Sequence, residues 1–457
     1  MLRKILLVIL LLLFFTSSFV LYSQNPRIDG YKGIWYSSGP NTKYGYKFSG
    51  GVSTFASRHR PIAIYSPKAR KTFFVYGGTT NAEEQHLLIM ISYFDHRTHM
   101  VPKPVIVYDK MGVKEPYDNA SLSIDDEGIL WVFVSGYLRT RPGMIFRSTK
   151  PYSIDAFEMV REIEMISPQP WWIGSEGFLM FYSKLSKGLE LWCASGTDGK
   201  SWADEQRLAS MGGSMQISDV CQGRIVTVFN YFPKGDIDRQ TNLYFLQSDD
   251  MGKTWKTVDG KPVRIPLVDV ENDAMIRNYE KDGKEVYLSD MDFDSEGNPV
   301  ILVIISGNPY PGPGTGLKDW FVISRKDGEW VFNKVCESTH NFDRGSIHVE
   351  GSDWKVIGPT EPGPQKFGTG GEIALWISRN RGAEWQKVTD VTINSINNNS
   401  FVRHPLNAQK DFFALWTDGN ANELSKSYIY FTNEKCDKVW MLPYDMKEDF
   451  RKPVRIR

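Results

Sequence analysis

Apolar positions along this chain come in short runs separated by Gly, Asp, Asn and Ser, and long helical periodicity is hard to find. Runs such as "LELWCA", "NLYFLQ", "WFVI" and "EIALWI" are rich in aromatic and branched side chains and are bounded by turn residues. That pattern predicts strands. In "TFASRHRPIAIYSP", residues 54–67, Ile62 and Ile64 recur at a spacing of two, and Arg58, His59 and Arg60 lead the run. A strand is predicted there, with a basic cluster at its mouth.

The turns repeat as well. "SDDMGKTW" spans residues 248–255, with weaker copies in "SGTDGKSW" (195–202), "SRNRGAEW" (378–385) and a shortened "SRKDGEW" (324–330). Each follows an aromatic-rich run. In such an octet the Asp or Asn caps turn N–H groups, Gly supplies positive φ, and Trp is expected to bury its ring beneath the next hairpin. The octet resembles the Asp-box, or BNR repeat, whose residues build structure.

A second, longer repeat sets the architecture. Seven segments show a polar cluster, a short strand and a turn, with the clusters at 59, 118, 169, 216, 290, 344 and 403. The intervals are 59, 51, 47, 74, 54 and 59 residues, one four-stranded sheet each. The long fourth interval carries polar sequence around residues 270–284, expected to form an extra hairpin or a lid. Seven such periods, nearly all strand and turn, predict an all-β fold, a single seven-bladed β-propeller. Two β-sandwich domains would need a linker near the middle, and no low-complexity or charge-block segment occurs there. Residues 25–50 are expected to complete the last blade with an N-terminal strand.

Composition narrows the function. Lys+Arg and Asp+Glu balance at 54 each, so no global field favours nucleic acid or an anionic membrane. The opening "MLRKILLVILLLLFFTSSFVLYSQ" has a basic start, an apolar core from Ile5 to Phe15 and a small residue, Ser23. This predicts a signal peptide over residues 1–23 and a propeller over 24–457, periplasmic or secreted and free of the membrane after cleavage. A retained anchor is the alternative. Cys193, Cys221, Cys336 and Cys436 are too sparse for a disulfide framework. No Cys/His cluster or H-E-x-x-H spacing appears, so neither metal nor cofactor is expected. A monomer is expected.

"YKGIWY", "FSGGVSTFASRHRPIAIYSP", "KTFFVYGGTT", "YDNASLSIDDEGILWVFVSG" and "PTEPGPQKFGTGGEIALWIS" resemble the secreted BNR-repeat proteins of polysaccharide-degrading bacteria, over residues of about 30 to 435. That group includes seven-bladed ulvan lyases and propeller glycosidases that release rhamnose linked to glucuronic acid. The lyase pattern departs here, because Tyr117 stands where a lyase would carry His and Met215 where Tyr is expected. Sialidases share the octet but are six-bladed, and their arginine triad has no clear counterpart. The glycosidase pattern fits better: His59-Arg60-Pro61-Ile62-Ala63-Ile64-Tyr65 matches a strand-leading H-x-P-I-A-[IV]-Y segment.

In a propeller the seven strand mouths gather around the axis, so these clusters are expected to form one central polar pocket. The resemblance implies a catalytic His59; its flanking arginines favour a neutral imidazole able to move a proton. Arg58, Arg60, Arg344 and Arg403 suit bidentate capture of a carboxylate or sulfate. Asp118, Gln169 and His340 sit at mouths, and Trp171 and Tyr231 offer rings on which a pyranose can stack. A two-carboxylate hydrolase would instead use Glu361 and Glu372, which bracket the Gly-rich "TEPGPQKFGTGGE". His86, His96 and His99 read as solvated loop residues. The expected function is a glycoside hydrolase acting on an acidic, rhamnose-linked oligo- or polysaccharide. Its alternatives are a non-catalytic carbohydrate-binding propeller and a lyase of the same fold.

Overall fold

The structure is a computed structural model that describes residues 23–37, 49–55, 59–84, 86–113, 115–310 and 312–457. Arg58 and nearly all of the expected signal peptide lie outside them. The strands assemble into seven antiparallel blades arranged as a β-propeller, each sheet running in chain order from the axis outward. The inner strands are Ala63–Ser66, Ala120–Ile124, Ile166–Trp172, Gln216–Cys221, Glu285–Phe293, Ser346–Glu350 and Asn398–Arg403, for blades 1 to 7. Among the described residues no helix is long and apolar enough to cross a membrane.

Burial explains why the apolar runs lack a clean alternation. Middle strands such as Leu130–Val134, "LWVFV", and Pro299–Ser306, "PVILVIIS", are buried along their whole length. Each is covered on both faces by a neighbouring blade, as in other sheets sandwiched on both sides. Blade 2's outermost strand, Phe157–Ile163, is half-exposed or exposed throughout. Between blades 4 and 5, Ile217, Val226 and Val228 pack with Leu288, Ile301 and Val303 in one apolar cluster.

The octets form tight turns at the end of the blades opposite the strand mouths. In residues 248–255 the Gly252 N–H donates to Ser248 Oγ, and Thr254 N–H donates to Asp250 Oδ1, both at 2.9 Å. Residues 378–385 repeat this with Gly382 N–H to Ser378 Oγ and Glu384 N–H to Asn380 Oδ1. Gly252 and Gly382 both adopt φ of 80°, which only glycine takes without strain. The tryptophans turn back rather than forward, correcting the expectation of a ring under the next hairpin. Trp255 packs on Phe181 and donates to Gln206 Oε1, both in blade 3.

Three further expectations change. Residues 270–284 form no lid: Met275–Arg277 pairs with Leu243 and Tyr244 and completes the outer edge of blade 4. Among the described residues the N-terminal segment adds no strand to blade 7, whose four strands come from residues 398–441, with Val454–Arg455 paired outside them. Instead Gly33 bridges Gly78 of blade 1 and Ser427 of blade 7, while Ile64 and Leu406 pair in parallel across the seam. His96 belongs to this seam and not to solvent: its Nδ1 lies 2.6 Å from Asp411 Oδ1. All four cysteines are free, and burial pushes the Cys193 and Cys436 thiols up to about 12.

Candidate functional site

Register decides what reaches the axis. Side chains on one face of a strand recur every two residues, so Asp290 and Asp292 share a face, as do Ser346 and His348. Contacts between blades, not strand ends, set the level of each cluster. Gln169 meets Gln216 and Ser218 of the next blade, and the Pro61 carbonyl meets Leu122 N–H, while Asp118 stands four residues before that Leu122. The clusters therefore pack against one another as a polar column on the axis rather than as an open rim of mouths.

That column is packed and largely self-paired. Arg60 reaches across the ring to Asp219 of blade 4 and Asp290 of blade 5, and donates to the Met291 carbonyl at 2.9 Å. Burial works against the Arg60 charge, but the two carboxylates more than reverse it. Burial would raise Asp290 too; the Arg60 charge, the contact with His404 and the Arg403 charge hold it at about 2. Arg344 is fully buried, with its guanidinium on the Leu288 carbonyl and 3.2 Å from Met215 Sδ. Arg403 donates to the Ser289 carbonyl, and burial pushes it down to about 10. The space among His59, Arg60, Gln169, Asp290 and Arg403 is about 20 Å³. That holds one water-sized group, not a sugar ring.

The other sequence-named residues are dispersed. His59 is buried, with Nε2 3.0 Å from the Tyr117 carbonyl oxygen. Gln169 joins blades 3 and 4 by donating to the Gln216 carbonyl and accepting from Ser218 N–H. Trp171 Nε1 donates to Ser218 Oγ, and its ring lies in the apolar cluster on which Tyr231 also packs. His340 is buried and accepts from Phe342 N–H through Nδ1. Glu361 and Glu372 are register partners in the second and third strands of blade 6, off the axis. Glu361 pairs with Lys387 at 3.0 Å, and Glu372 accepts from Thr392 and Ser395, anchoring the loop before blade 7.

Asp118 leads to a group that the sequence reading missed. Its carboxylate is fully buried between Lys110 Nζ at 3.0 Å and Arg141 Nε at 2.8 Å, and Arg141 Nη2 adds a second contact at 3.3 Å. One anion thus faces two cations. The Arg141 side chain remains 35% exposed, beside the ring of Tyr137, which is itself 39% exposed. Next to them burial raises the Glu115 carboxyl, which is hydrogen-bonded to the Tyr36 hydroxyl; burial and Glu115 together push Tyr36 up to about 12. Tyr117, half-buried, completes the rim, with His59 under its carbonyl. Arg141 sits in "LRTRPG" and Glu115 in "VKEPYDN", neither of which has a motif to flag it. Only the fold brings together the loops that enter blade 2 and cross its top.

Among the described residues one further cluster has metal-ligating chemistry: Asp292, His348 and His404, at the opposite end of the axial column.

Residues 195–337 match the profile of a BNR repeat-containing family. A search of curated protein sequences gives no match. Among solved structures, a polysaccharide lyase described as an ulvan lyase superposes with a TM-score of 0.68 at 15% identity, covering 90% of this chain and 96% of its own. A second structure, described as the ulvan lyase bound to -[GlcA(1-4)Rha3S]-, gives 0.69 at the same identity and coverage. The polysaccharide lyase Uly1 gives 0.61 at 11% identity, covering 89% and 97%. At such identities the likeness is one of fold. The chain is a seven-bladed propeller, and its residues 195–337 carry the match to the BNR repeat-containing family.

Proposed function

We propose that this protein is a carbohydrate-active propeller that engages an acidic oligo- or polysaccharide at the rim of blades 1 and 2. The observation that carries this reading is the Arg141 guanidinium, held on one edge by buried Asp118 and exposed on the other beside Tyr137. A carboxylate or sulfate takes the exposed N–H groups, in the geometry for which guanidinium is suited. The neighbouring tyrosine ring stacks on a pyranose C–H face. The solved propeller described as bound to -[GlcA(1-4)Rha3S]- supports an acidic ligand for this fold.

The finer reading is hydrolysis. Burial favours the protonated form of Glu115, which suits it to donate a proton to a glycosidic oxygen. His59, under the Tyr117 carbonyl, acts in this reading as a positioning residue rather than a direct proton carrier. The Arg3-Lys4 start and the apolar run after it favour export, so the substrate would be met outside the cytoplasm.

The test is incubation with acidic rhamnose-containing glycans and their neutral counterparts, with products analysed. New reducing ends without unsaturated uronate are expected. Unsaturated uronate products would assign elimination instead, and binding without products would assign a non-catalytic module. Absence of any interaction with acidic glycans would overturn the reading.

A further inference from the structure

The inner strands of blades 5, 6 and 7 bring one carboxylate and two imidazoles to the same level. Asp292 lies near the end of Glu285–Phe293, His348 is the third residue of Ser346–Glu350, and His404 directly follows Asn398–Arg403. One potential ligand atom of each lies within 4.8 Å of the others, and all three residues are only partly buried. We propose that these three residues bind a divalent transition-metal ion, Zn²⁺ foremost, at the end of the axial column opposite the glycan rim.

Four observations support the assignment. The residue set is chemically apt: two neutral imidazoles and a carboxylate are the donors of many three-ligand sites, which leave a further position open for water. The carboxylate is oriented, since Asp292 Oδ2 accepts from Val349 N–H and Oδ1 from Phe293 N–H, both at 2.8 Å. Those bonds fix the group and leave each oxygen a lone pair. His404 stands beside a carboxylate placed to support it: its Nδ1 lies 3.4 Å from Asp290 Oδ2, in ion-pair contact, and ligation through Nε2 would leave Nδ1 for that partner. His348 packs edge-on against Phe413 at 4.7 Å, and among the described residues its ring nitrogens make no hydrogen bond.

The distances set what binding requires. Zinc bonds of about 2.0–2.2 Å place tetrahedral ligand atoms roughly 3.3–3.6 Å apart, so atoms as far apart as 4.8 Å would draw together by about 1.2–1.5 Å. With Asp292 fixed by its two backbone hydrogen bonds, rotation of the His348 and His404 side chains would have to supply that. The strands come from the last three blades, beside the seam where Leu406 meets Ile64 of blade 1. An ion there would cross-link three blades next to the closure of the ring. No linear motif could show this site, because its ligands are 56 residues apart in each step, at 292, 348 and 404.

The test uses the whole protein after chelator treatment and dialysis. Zn²⁺ titration by calorimetry should give one equivalent, and Co²⁺ should develop visible bands of a four- or five-coordinate site. Zn²⁺ should also raise the melting temperature by mass action. His348→Gln and His404→Gln should each weaken binding by roughly 100-fold or more, beyond the 10- to 100-fold typical of losing an outer-shell partner. His86→Ala, remote from the cluster and paired with Asp109, should bind as the parent does. If a Gln variant fails to fold, Asp292→Asn provides the same comparison, with circular dichroism reporting the fold. Absence of binding by the parent, or equal binding by folded variants of the cluster, would overturn the proposal.

Discussion

Arg60 is the residue on which the interior of the ring depends. Two carboxylates from blades 4 and 5 meet on its guanidinium, and none of the three is accessible to a sugar. Removing one member of a buried ion pair leaves an uncompensated charge, so Arg60→Ala should cost about 3–5 kcal/mol in chemical denaturation. A loss below 1 kcal/mol would mean that the column is not paired as described. The sequence showed a basic cluster at a strand mouth but not which way it faced, since its partners lie 159 and 230 residues away. Asp418 carries a separate pH signature. Burial, outweighing hydrogen bonds from Tyr428 N–H and the Tyr430 hydroxyl, pushes its carboxyl from 3.8 up to about 6. The folded state therefore holds this proton more tightly than the unfolded state. Its contribution to stability is complete below about pH 4 and is lost as pH rises through about 6. Between pH 4 and pH 7.5 the Asp418→Asn variant should lose less stability than the parent, by about 2–3 kcal/mol. Parallel curves for the two proteins would contradict this.

At the scale of the element, the octet turns were legible because everything they need is local: a hydroxyl, a carboxyl or amide, a glycine and a tryptophan within eight residues. What the tryptophan packs against was not local. Trp255 is buried on blade 3, so Trp255→Ala should cost about 3–5 kcal/mol through the cavity it leaves. Asp250→Ala, which removes a partly exposed turn cap, should cost about 1–2 kcal/mol. Denaturation midpoints in the reverse order would show that the cap, not the inter-blade packing, holds the octet. The insertion around residues 270–284 was misread as a hairpin or lid for a related reason. Its polar composition is that of a loop, while Met275–Arg277 takes the outer-edge position that the short Trp255–Lys256 strand leaves unfilled. Sheet-edge completion depends on the length of a neighbouring strand, which composition does not report.

For the whole molecule, a period of about fifty residues was enough to count blades, because every blade repeats the same need to bury two faces. Closure and the rim were not repeated, and so were not legible. The seam uses Gly33 bridging to both sides and His96 on Asp411, contacts with no counterpart among the described residues of other blades. The rim of blades 1 and 2 likewise owes its charge to a loop-to-loop pairing of Lys110, Asp118 and Arg141 that occurs once among the described residues. This rim is the central functional claim, and calorimetry with matched acidic and neutral oligosaccharides tests it most directly. The acidic ligand should bind more tightly, and added salt should narrow the difference. Arg141→Ala should weaken acidic binding roughly 10- to 100-fold, the loss of a charged hydrogen bond, while Lys110 keeps Asp118 paired and the fold intact. Arg379→Ala, an exposed arginine in the octet turn of residues 378–385, should change nothing. Equal affinity for acidic and neutral ligands, or acidic binding undiminished in Arg141→Ala, would contradict the account.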